Sequence, residues 1–107
     1  MDKGTPMRIH FERTGGFAGM TMATTFDLDD LPEDEADHLK SLLDDLDFDD
    51  LPDKILSSPS GADRFSYTIA IENKKGRRAV ETTDSAAPEK LRGLIDLLNQ
   101  MSRTRRM

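Results

Sequence analysis

The stretch FSYTIAIENKKGRRAVET, Phe65 to Thr82, decides the fold. In its first eight residues Phe65, Tyr67, Ile69 and Ile71 share one parity, and Ser66, Thr68, Ala70 and Glu72 the other. Successive side chains of extended backbone point to opposite faces, so apolar residues at every second position predict a strand with one face buried. Asn73-Lys-Lys-Gly76 predicts the turn, with Asn73 or Gly76 able to take positive φ, and Arg78 to Thr82 returns as the second strand of a hairpin.

The same period appears upstream. Met7, Ile9 and Phe11 alternate with Arg8, His10 and Glu12, and after a glycine-rich interval the alternation resumes with Met20, Met22, Thr24 and Phe26. These two runs predict another hairpin. Between and after the hairpins the period becomes helical. Ala36, Leu39, Leu42, Leu43 and Leu46 form one stripe, with Asp30 as the expected cap, Pro32 in the first turn and Glu33, Asp34 and Glu35 at the positive end of the helix dipole. Phe48 and Leu51 anchor the connection that follows, and SSPSGAD marks a surface loop. A second stripe, Leu91, Leu94, Ile95, Leu98 and Met101, predicts a helix opened by Asp84 or Ser85 with Pro88 near its first turn.

Two half-buried hairpins need a common cover, and two amphipathic helices supply it. The expected class is α+β: a four-stranded antiparallel sheet of two hairpins with both helices on one face, in the order ββαββα. With 107 residues, one core is expected. Residues 1–6 are expected to be a flexible leader, 7–102 a single domain and 103–107 a basic fray.

Charge is unevenly placed. From Asp27 to Asp53 there are thirteen acidic residues against Lys40 alone, a local net of −12, while the remainder carries +6. Such an acidic belt disfavours nucleic acid as a ligand, because phosphate binding depends on clustered Lys and Arg. The belt is either a solvated helix face or a surface for a basic protein. The cationic turn Lys74 to Arg78 is ordinary solvated charge on the same grounds. Cysteine is absent and no apolar run is long enough to span a membrane, which together make a soluble, cytoplasmic protein the starting expectation.

The sequence carries none of the common catalytic or cofactor motifs. His10 and His38 do not fall in a zinc-ligand spacing, and no H-E-x-x-H, G-x-S-x-G or phosphate-loop pattern occurs. Placing Asp45, Asp47 and Asp49 at the first ligand positions of a calcium loop puts Asp50 where glycine is required and Leu56 where the bidentate glutamate belongs. The expectation is therefore a binding protein rather than an enzyme, with no catalytic residue, no metal site, no cofactor and no small-molecule substrate.

The interval between the first two strands is the most distinctive local feature: Glu12-Arg13-Thr14-Gly15-Gly16-Phe17-Ala18-Gly19 places an aromatic ring among glycines. Glycines permit positive φ and close backbone approach, so Phe17 either reaches outward to a partner or folds inward over the end of the sheet. Arg13 either meets the partner or pairs with the acidic belt.

Those residues resemble the emfourin family, whose pattern E-R-[ST]-G-G-F-[AT]-G they match. RIHFERTGGFAGMTMATTFDLDDL, the leucine-rich helix, DRFSYTIAIE and APEKLRGLIDLL extend the resemblance over roughly residues 7 to 101. The resemblance implies a bacterial proteinaceous inhibitor of thermolysin-like, protealysin-type zinc metallopeptidases. These enzymes favour a bulky apolar side chain just after the scissile bond. On that basis the expected partner-binding residues are Arg13, Thr14, Gly15, Gly16, Phe17, Ala18 and Gly19, with Phe17 as anchor and the 73–76 turn or the loop ending at Asp63 as neighbouring surface. The alternative is a non-inhibitory interaction module that uses the acidic helix.

Overall fold

The computed structural model describes residues 7–15, 20–56, 65–74 and 76–105. The strands are β1 (Arg8–Gly15), β2 (Met20–Asp27), β3 (Lys54–Ile55), β4 (Phe65–Asn73) and β5 (Gly76–Thr83), and the helices are α1 (Glu33–Leu46) and α2 (Glu89–Arg105). They form an α+β unit whose single sheet has the order β2-β1-β4-β5-β3. Both expected hairpins are present, and β1 pairs with β4 in antiparallel fashion to join them. The expectation of four antiparallel strands is corrected in one respect. A fifth strand, β3, lies parallel to β5 and makes the sheet mixed, so the element order is ββαβββα.

The alternation in the strands settles which face is covered. Ile9, Phe11, Phe26, Tyr67, Ile69, Ile71 and Val80 point to one side and join a single core cluster with the helix stripes Ala36, Leu39, Leu43 and Leu46 of α1 and Leu91, Leu94, Ile95, Leu98 and Met101 of α2. Both helices therefore pack on the same face of the sheet. Ala70 belongs to the opposite face yet is buried. It lies on the central strand between His10 and Ala79, and a methyl group there is shaded by its neighbours.

Two helix starts differ from expectation. Asp30 does not cap α1. It lies in a 3₁₀ turn, Leu28–Asp30, which Asp27 caps by accepting from the Asp29 amide at 3.1 Å. Pro32 is the N-cap, and its carbonyl accepts from the Ala36 amide at 3.0 Å. Asp84 likewise does not open α2, because its side chain is bonded to the start of β4. The Pro88 carbonyl accepts the Arg92 amide at 2.8 Å and begins the helical ladder instead. At its other end α1 stops on Asp47, which adopts a left-handed conformation (φ 53°) and leads into the 3₁₀ turn Phe48–Asp50. Phe48 is buried there, as an anchor should be.

β3 has only two residues, too few to show a period, and it is held by long-range bonds. The Glu81 amide donates to the Asp53 carbonyl at 2.8 Å, and the Thr82 hydroxyl to the Ile55 carbonyl at 2.8 Å. Arg78 donates to the Asp53 carboxylate at 2.8 Å and to the Leu51 carbonyl. Arg78→Met is expected to cost about 1–3 kcal/mol, since it leaves the Leu51 carbonyl without its donor. Thermal denaturation and faster hydrogen exchange at the Glu81 amide would report the release of β3.

Candidate functional site at the glycine-loop end of the sheet

Antiparallel pairing of β1 with β2 ends at Gly15 and Met20, and Gly15 also faces Phe65 on β4. Gly15 has φ 136°, far from the range a β-carbon tolerates, so glycine is required where the strand gives way to the loop. The expected site residues separate at this point. Arg13 projects toward the helices, Thr14 lies on the open face with its hydroxyl 3.2 Å from that of Thr21, and Gly15 makes the stem of the turn. Gly16, Phe17, Ala18 and Gly19 lie outside the described residues.

Register also sorts the neighbouring surfaces. Phe65 begins β4 beside Gly15, so the segment leading into β4 enters at the glycine-loop end of the sheet. The turn between Asn73 and Gly76 lies beyond the pair Arg8 and Glu72, at the opposite end. Seven residues of extended backbone separate the two ends, on the order of 20 Å. The cationic turn thus lies at the far end of the sheet from the loop.

Arg13 is half-buried, and its partners are internal. Its Nη1 donates to the Asn99 side-chain carbonyl on α2 at 3.0 Å, and its guanidinium lies 4.9 Å from the centre of the Phe65 ring. This is a cation–π arrangement at the inner rim of the sheet, and it does not involve the acidic belt. Phe65 neighbours Tyr67 at 6.4 Å between centroids, and Tyr67 stacks with Phe11 at 6.0 Å, so a row of rings runs from the core to Arg13.

Asp84, the residue after β5, closes the arrangement. One carboxylate oxygen accepts from the Tyr67 hydroxyl at 2.8 Å, and the other from the Phe65 amide at 3.2 Å. Burial pushes the Tyr67 hydroxyl up from its ordinary value of 10.0 to about 12. The hydrogen bond to Asp84 and that residue's charge add to the rise, while Arg13 and Asn99 oppose it. A raised value means that the folded state holds this proton more tightly than the unfolded chain. The Tyr67 contribution to stability is therefore complete below pH 10 and is lost as pH rises toward 12, a change on the order of 2 kcal/mol. Tyr67 is the one tyrosine in the chain and tryptophan is absent, so tyrosinate absorbance reads this group alone. Its midpoint is expected near 12, and Tyr67→Phe is expected to remove this alkaline loss of stability.

Phe65, Tyr67, Asp84 and Asn99 were not anticipated as companions of Arg13. The two aromatic residues were legible as inward positions of a strand. Asn99 flanks the α2 stripe with no pattern to mark it, and Asp84 carries the signature of a helix cap that it does not become.

Among the described residues no group of three His, Asp or Glu side chains is placed to hold a metal ion, and no helix is long and apolar enough to cross a membrane. His10 sits on the open face, its Nδ1 2.9 Å from the Thr25 hydroxyl, and His38 is exposed on α1. The described geometry is a hairpin stem that ends on Gly15 and Met20 and is braced from beneath through Arg13, Asn99 and Phe65. The chain matches the emfourin family model over residues 11–99 and belongs to that family. Emfourins are protease inhibitors, and membership implies a metallopeptidase as partner. No curated protein and no solved structure matches the chain.

Proposed function

We infer that the chain inhibits thermolysin-like zinc metallopeptidases by presenting the hairpin loop that follows Gly15, with Phe17 as the apolar anchor and a loop carbonyl near the catalytic zinc of the enzyme. The observation that supports this most directly is the stem. Pairing stops at a glycine held at φ 136°, beside a strand braced by Arg13, Asn99 and Asp84, so the loop leaves a rigid platform. Preorganisation of that kind lowers the entropic cost of docking.

Burial of one phenylalanine ring contributes on the order of 1.5–3 kcal/mol, whereas nanomolar affinity requires about 12 kcal/mol. Surface beyond Phe17 must therefore take part. Titration of a thermolysin-like peptidase with wild type and with Phe17→Ala tests the anchor. The variant is expected to stay folded and to weaken inhibition about 10- to 150-fold. Excess zinc and calcium in the assay separate true inhibition from removal of metal by an acidic chain. A folded Phe17→Ala protein with unchanged affinity would show that the ring is not the anchor.

A further inference from the structure

We propose that the outer edge of β2 is a second docking surface for the peptidase, whose main chain pairs with it in extended form as a sixth strand; this rests on the inhibitor reading above. The phase of the ladder identifies the groups involved. The Leu28 amide donates to the Met7 carbonyl at 3.0 Å, which makes residues 7 and 28 a hydrogen-bonded pair in the same register as β1 and β2. Bonding alternates along an antiparallel pair, so Phe26, Thr24 and Met22 direct their main-chain groups to β1. The main-chain groups of Thr21, Ala23 and Thr25 then point away from β1, at the margin of the sheet. The same alternation, carried across the sheet, puts the Glu81 amide on the outer side of β5, where it does bond to the Asp53 carbonyl at 2.8 Å.

The two edges are treated differently. The β5 edge is occupied by β3 and fastened by Arg78 and Thr82. Among the described residues nothing pairs with the β2 edge, and its one charged residue, Asp27, stands at the end away from the loop. From Met20 to Phe26 it runs in unbroken register with no proline, no lysine and no bulge, and Thr21, Ala23 and Thr25 are exposed and uncharged. An open edge of this kind accepts a strand through main-chain hydrogen bonds with little demand on the sequence of the partner. The peptidase is the occupant because β2 begins directly after the loop. A cleft that holds the loop brings enzyme main chain beside Thr21 first, and it supplies contact area that one aromatic ring does not. A second copy is the poorer match, since each chain has a net charge of −6.

Amide hydrogen exchange of the ¹⁵N-labelled chain, free and saturated with a thermolysin-like peptidase, tests this directly. The Thr21, Ala23 and Thr25 amides are expected to exchange freely in the isolated chain and to slow at least tenfold in the complex, roughly the effect of one new hydrogen bond. Ala23→Pro removes one outward N–H while leaving the bonds to β1 intact, and it is expected to raise the inhibition constant about tenfold with circular dichroism unchanged. If that variant does not fold, the exchange pattern of the wild type still decides. Tight inhibition with these three amides unprotected in the complex overturns the proposal alone. Protection in the free chain that grows with concentration assigns the edge to a second copy and overturns it too. Absence of any binding or inhibition overturns the inhibitor reading and this proposal together.

Discussion

Phe11→Ala is expected to lower the stability of the domain by about 3–5 kcal/mol, the largest loss of any substitution considered for this chain. Phe11 has no exposed surface, lies between Thr24 of β2 and Ile69 of β4, and stacks with Tyr67. Truncation removes the transfer free energy of a whole ring and leaves a cavity between the sheet and both helices, which strands tied on two sides cannot close. Domains of this size are stable by roughly 5–15 kcal/mol, so the variant is expected to remain folded only marginally. Urea denaturation followed by far-ultraviolet circular dichroism should show a lower midpoint with an unchanged slope. Phe17→Ala provides the contrast: two phenylalanines six positions apart, one expected to change stability and the other inhibition.

Gly15→Val is expected to carry the second large effect, this time on both stability and inhibition. At φ 136° a β-branched residue is forced into a region that L-residues rarely enter, a strain on the order of 1–3 kcal/mol. The chain either bears that strain or rotates Gly15 to negative φ, which re-aims the loop and disturbs the pairing with Met20 and Phe65. Inhibition is expected to fall about 5- to 150-fold, the affinity equivalent of the same strain. Gly15→Asn is expected to fail as well, because asparagine tolerates the left-handed well near +57° and not a φ of 136°. Stability from thermal unfolding and the inhibition constant, measured on the same preparations, separate strain from loss of contact. An undiminished inhibition constant for Gly15→Val would show that the loop does not depend on its stem.

Much of the fold was legible because burial imposes a period. FSYTIAIE could be assigned a face before any contact was known, and Tyr67, Ile69 and Ile71 are buried as that period requires. The Leu39, Leu43 and Leu46 stripe and its counterpart from Leu91 to Met101 were legible for the same reason. β3 was not, since two residues cannot display alternation and their bonds go to Glu81 and Thr82, far along the chain. Asp84 shows a different limit. An aspartate before a proline and an apolar stripe has the local chemistry of a cap, but a phenol and an amide from β4 compete for its carboxylate and hold it.

The glycine-rich motif was legible as a turn with an unusual aromatic, and it carried the resemblance to the emfourin family. The inward orientation of Arg13 was not legible. Strand parity gives its side, but its choice of Asn99 and Phe65 over the acidic belt depends on α2 crossing the sheet above it.

The amino-acid sequence by itself determined the two hairpins and the two helices, the face each one buries, the separation of acidic and basic charge and the family, because these follow from local periods, composition and a contiguous motif. Only the tertiary structure decided that Gly15 and the start of β4 share one end of the sheet while the cationic turn occupies the other, that Arg13 braces the hairpin from within, and that among the described residues one sheet edge is covered by β3 while no strand pairs with the β2 edge. Those outcomes depend on register and on hydrogen bonds between residues tens of positions apart, and no local pattern encodes them.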